Sequence, residues 1–128
     1  MRAVLDASAA LVLLRAEPGH EQVAELLPGS VMSALSYSEV VQTLAQLGSA
    51  TAEDDTAALI ALGTTVARFD VTAAIDTARL WPVTRAAGLS LADRACLALA
   101  ADVPDGVAVT ADRAWTKLKL DVPVRLIR

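Results

Sequence analysis

The chain is poor in several residue types, and each shortage removes a class of function. It holds one cysteine, Cys96, and one histidine, His20, which excludes an internal disulfide and leaves no thiolate or imidazole set for zinc. Cys96 lies in the apolar run Ala95 to Ala101 and reads as a small core residue. No apolar run reaches the roughly 18 residues that a membrane span requires, and Asp6 interrupts the opening stretch where a signal peptide would continue. A cytoplasmic protein is expected. The aromatics are Tyr37, Phe69, Trp81 and Trp115, too few for an extended base-stacking platform. Trp115 reads as a core anchor of its short helix, while Tyr37 divides evenly between core and contact roles. No lysine or arginine occurs between Ala16 and Val66, and the net charge is -4, the wrong sign for a simple nucleic-acid glove. Cations gather instead at the end, where Arg113, Lys117, Lys119, Arg125 and Arg128 face only Asp121.

What is abundant is apolar: 55% of the 128 residues are hydrophobic, enough to fold one domain over residues 1–128 without staples. The opening Val4-Leu5-Asp6-Ala7-Ser8 reads as strand, turn and helix, with Asp6 at the strand's C-terminal end. A helix over 7–16 follows, capped by Asp6 or Ser8 and stopped by Glu17-Pro18-Gly19. A short helix to about Leu27 precedes a strand over 30–33. Residues 35–47 carry a helical apolar stripe and open with Ser36-x-x-Glu39, the pattern of a capping box. Thr51-x-x-Asp54 opens a helix over 51–62. A strand over 65–69 leads to Asp70, the cap of a long helix over 71–87 that Pro82 should kink or split. Ser90-x-x-Asp93 opens a buried helix to Ala101, and 107–110, 111–118 and 124–127 give strand, short helix and strand. This alternation predicts an α/β fold, a three-layer α/β/α sandwich around a mainly parallel sheet.

Four acids share one setting. Asp6, Glu39, Asp93 and Asp112 each stand where a strand or loop hands over to a helix. Singly each reads as a cap worth about 1 kcal/mol. In a parallel sheet, however, Asp6 and Asp112 share one edge, and helices starting there bring Glu39 and Asp93 beside them. Carboxylates about 4 Å apart repel by roughly 4 kcal/mol at an effective dielectric of 20, so such a cluster calls for a cation. Oxygen-only donors favour Mg²⁺ or Mn²⁺, ions that keep open positions suited to phosphate substrates.

The segments Val4-Leu5-Asp6-Ala7-Ser8, Ser38-Glu39-Val40, Gly88-Leu89-Ser90-Leu91-Ala92-Asp93 and Thr110-Ala111-Asp112-Arg113-Ala114-Trp115 resemble, in order, those of the PIN-domain nucleases, and among them the VapC-like toxins of type II toxin-antitoxin pairs. The resemblance implies a metal-dependent endoribonuclease in which Asp6, Glu39, Asp93 and Asp112 form the catalytic metal site for Mg²⁺ or Mn²⁺, with Ser8 and Thr110 as polar supports. It also implies hydrolysis leaving a 5′-phosphate and a 3′-hydroxyl, a cognate antitoxin partner and a homodimer. Some relatives carry a further acid just after the position of Asp112, where this chain has Arg113 and Ala114, which weakens the case for a second ion. Arg94, Arg113, Lys117 and Lys119 are the candidates for RNA-backbone contacts. Two rival readings stand beside this one: a catalytically silent PIN-type binding module whose acids are caps, and a phosphotransferase using Asp6 as nucleophile. The haloacid-dehalogenase-like form of the latter wants an acid at position 8, where this chain has serine.

Overall fold

In a computed structural model, which describes residues 1–127, the first strand becomes the centre of the sheet. β1 (Arg2–Leu5) is followed by α1 (Ala7–Leu14), α2 (His20–Leu26), β2 (Val31–Ser33), α3 (Ala34–Gln46), α4 (Ala52–Ala61) and β3 (Thr65–Ala67). The chain then forms α5 (Val71–Arg79), α6 (Trp81–Thr84), a 3-10 turn η1 (Arg85–Ala87), α7 (Leu91–Asp102), β4 (Gly106–Thr110), a second 3-10 turn η2 (Arg113–Lys117) and β5 (Val124–Leu126). Among the described residues the strands make one five-stranded sheet in the order β3-β2-β1-β4-β5, and every pairing is parallel. Arg128, the last of the terminal cations, lies outside the described residues. No helix among the described residues is long and apolar enough to cross a membrane.

Strand alternation divides the core in two. Ala3, Leu5, Met32 and Val109 point to one face and pack with Ala9, Val12, Val23, Val40 and Leu59 from α1 to α4. Val4, Val31 and Ala108 point to the other and pack with Cys96, Leu97 and Ala100 of α7 and with Trp115 of η2. The three-layer expectation therefore holds, and Trp115 and Cys96, both 0% exposed, are core residues as their sequence settings imply. Tyr37 is half-buried against the first cluster. At the α7–β4 junction a Cβ on Gly106 would run into the carbonyl oxygen of Ala100, so only glycine lets the helix end approach the strand this closely.

Several local expectations are corrected. The Ser36-x-x-Glu39 capping box does not form: α3 begins at Ala34, Ser33 is its cap and accepts from the Leu35 amide at 3.2 Å, and Glu39 sits in the second turn. Strand β2 ends at Ser33, and the first cap after a strand end takes the helix. In α4 the Thr51 hydroxyl donates to Asp55 at 3.0 Å and makes no cap to Asp54. The helix over 71–87 is, by contrast, split as expected, into α5, α6 and η1, with Pro82 in the first turn of α6, where its missing N–H costs nothing. The helix expected over 111–118 is the shorter 3-10 turn η2, capped by Asp112.

Candidate active site

The strand order sets where chemistry can happen. The chain winds outward from β1 through β2 to β3, then returns to β4 on the other side of β1. α1, after β1, packs on one face of the sheet and η2, after β4, on the other, opening a crevice at the C-terminal ends of this pair. Asp6 follows β1 and Asp112 follows β4 at that edge.

Asp6 is 2% exposed and is held from every side. Its Oδ1 accepts from the Ala9 amide at 2.8 Å, which makes it the cap of α1. The Ser8 hydroxyl donates to the same carboxylate at 2.8 Å, and the Thr110 hydroxyl donates to Oδ2 at 2.5 Å. Ser8 Oγ in turn accepts from the Ala111 amide at 2.9 Å, and Thr110 Oγ1 from the Asp112 amide at 3.0 Å. The two turns that form the crevice are thus laced together by two hydroxyls and one carboxylate. Ser8 and Thr110, given only minor roles on sequence grounds, are the buckle between β1 and β4.

Burial pushes the Asp6 carboxyl up from 3.8 to about 7; the hydrogen bonds from Thr110, Ala9 and Ser8 oppose that rise, and the nearby charge of Asp93 adds to it. Glu39, half-buried, is raised first by burial and then by the same Asp93. Burial raises the Cys96 thiol, and the charges of Asp6 and Asp93 raise it further. Asp93 is therefore the shared neighbour of Asp6 and Glu39. It closes a capping box at the start of α7, accepting from the Ser90 amide at 3.0 Å while Ser90 Oγ accepts from the Asp93 amide at 3.2 Å. Asp112 is exposed, and its carboxylate accepts from the Ala114 amide at 2.9 Å.

The charge of Asp93 thus reaches both Asp6 and Glu39, and hydrogen bonds through Thr110 tie the Asp112 backbone to Asp6. Among the described residues, no three His, Cys, Asp or Glu side chains are drawn together tightly enough to clasp an ion as they stand. The donor chemistry nonetheless fits a hard cation: all-oxygen donors, with Asp6 and Glu39 destabilised as anions first by burial and then by the charge of Asp93. Of the candidate phosphate contacts, Arg94 spends Nη1 on the Leu89 carbonyl at 2.9 Å, whereas Arg113, Lys117 and Lys119 are exposed. Sequence reasoning missed Ser33, the cap that fixes where α3 starts; its position at the end of a short apolar run was the available signal.

Fold and site together define a doubly wound α/β domain with a carboxylate crevice at its switch point. The chain belongs to the PIN-domain family, whose profile matches residues 3–120. No curated protein matches it. Its fold is similar to that of VapBC2 from Rickettsia felis bound to a promoter DNA fragment, with a TM-score of 0.68 at 12% identity over 100% of both chains. It is similar to DNA-bound VapBC from Salmonella typhimurium, with a TM-score of 0.68 at 16% identity over 100% of this chain and 99% of the other. FitAcB from Neisseria gonorrhoeae gives 0.65 at 22% identity over 95% of each chain.

Proposed function

We propose that this chain is a metal-dependent endoribonuclease and the toxin half of a toxin-antitoxin pair. The observation that supports the reading is that Asp6 and Glu39, whose ionisation burial disfavours, both also feel the charge of Asp93. Asp6, Glu39 and Asp93 would hold one Mg²⁺ or Mn²⁺, directly or through water, with Asp112 at the rim. The bound ion supplies Lewis-acid activation of water and neutralises charge at the scissile phosphate. Asp6 contributes a carboxylate whose orientation is fixed by Ser8, Thr110 and the Ala9 amide. Glu39 and Asp93, on separate helices, set the width of the crevice. Membership of the PIN family and folds shared with VapBC and FitAB complexes support a partner antitoxin, and a homodimer belongs to the same proposal.

The test is cleavage of RNA by the purified protein. Excess EDTA should abolish it, Mn²⁺ or Mg²⁺ should restore it, and Glu39→Gln should lower it by about 100-fold or more. Cleavage undiminished by EDTA would overturn the reading.

A further inference from the structure

Tryptophan at the surface of a chain this short of aromatics asks for a reason. Trp81, at the start of α6, is 50% exposed, whereas Trp115 is 0% exposed. The Arg85 guanidinium lies over the Trp81 ring, 5.1 Å from its centroid, fixing the ring's orientation at the surface. Arg85 opens η1, and η1 packs against η2, which carries exposed Arg113 and Lys117 and is capped by Asp112 of the crevice. On the other side, η1 runs through Gly88 into α7 and Asp93. Both segments therefore lead outward from site acids to one flank that holds cations and an exposed aromatic. The opposite flank, α2 to α4, has no lysine or arginine and carries Glu21, Glu25, Glu53, Asp54 and Asp55. The charges favour approach of a polyanion along the first of these sides.

We propose that Trp81, held by Arg85, is a stacking platform for a base of single-stranded RNA, and that Arg113 and Lys117 hold phosphates between it and the acidic crevice. The inference rests on the RNA-cleaving reading for its choice of polyanion. A planar ring backed by a guanidinium stacks any base, and cations on the neighbouring turn suit a strand rather than a small anion.

Trp115, buried in η2 between the two cations, also emits, so the response that reports Trp81 is the part absent from Trp81→Phe. In EDTA, where the proposed cleavage is stopped, titration with a short uridine or adenosine homopolymer RNA should quench the emission and saturate. Trp81→Ala should weaken binding, measured by anisotropy of labelled RNA, roughly ten-fold, and Trp81→Phe should keep it within about three-fold. Arg113→Ala and Lys117→Ala should each lower the slope of log affinity against log salt by about 0.7, while Trp81→Ala leaves that slope alone. Binding without quenching, no binding of either RNA, or equal losses in Trp81→Ala and Trp81→Phe would overturn the proposal. So would emission that follows protein concentration instead of RNA, which would make this flank a contact between copies of the chain. Loss of cleavage in Mn²⁺ with RNA binding intact would count against the nuclease reading and leave the platform standing.

Discussion

At the scale of single residues, Asp6 is a side chain whose charge the fold resists and whose position it insists on. Its ordinary value of 3.8 rises to about 7 in the folded protein, so the folded chain holds a proton that the unfolded chain has lost over that interval. Stability from this group is therefore complete below pH 4, declines as pH rises towards 7, and stays low above it; the whole shift corresponds to on the order of 4 kcal/mol. Asp6→Asn removes that penalty while the Ser8 and Thr110 hydroxyls turn to accept. In EDTA at pH 8 the variant should melt higher than the parent, with the advantage shrinking between pH 7 and pH 4, as read by thermal denaturation across pH. An Asp6→Asn protein less stable at every pH would show the carboxylate to be a net stabiliser. The identity of Asp6 was legible in the sequence because an acid ending an apolar run is a local signal. Its hold on Thr110 was not, because the two lie 104 positions apart and only the strand order brings them together.

Among the elements, α3 and α7 show what decides whether a cap can be read in advance. Both carry Ser-x-x-acid near their starts, and in α7 the box forms as written, since Gly88 leaves Ser90 as the first available cap. Before α3 two serines compete, and the end of β2 settles the matter for Ser33. Ser36 then lies inside the helix, 0% exposed, with its hydroxyl unpartnered. The two serines should respond with opposite signs in chemical denaturation. Ser33→Ala loses the cap and should cost about 1 kcal/mol, whereas Ser36→Ala removes a buried hydroxyl that makes no hydrogen bond and should be neutral or stabilising. Equal losses would mean that Ser36 has a partner. The split between α5 and α6 was legible from Pro82 alone, because proline acts on backbone geometry without reference to the rest of the fold.

For the molecule as a whole, the alternation of short apolar runs with helical stretches was enough to give the layers, since each face of a parallel sheet must be covered. The order of strands was not legible: β1, β2 and β4 have similar apolar sequences, and their neighbours follow from how the helices pack. If the acids do bind an ion, the whole fold gains from it. Millimolar Mn²⁺ should raise the melting temperature by several degrees at near-saturating occupancy, and Asp93→Asn should remove most of that rise. An unchanged melting temperature with both proteins would favour the reading of the acids as caps.

The placement of β4 beside β1 also bears on how the protein is made. A chain leaving the ribosome delivers β1 first and must wait for nearly its full length before β4 can dock alongside. Until then Asp6 has no Thr110 to hold it. On the proposed nuclease reading, a truncated translation product would be harmless, and the cell would have the whole interval of synthesis in which to supply a restraining partner.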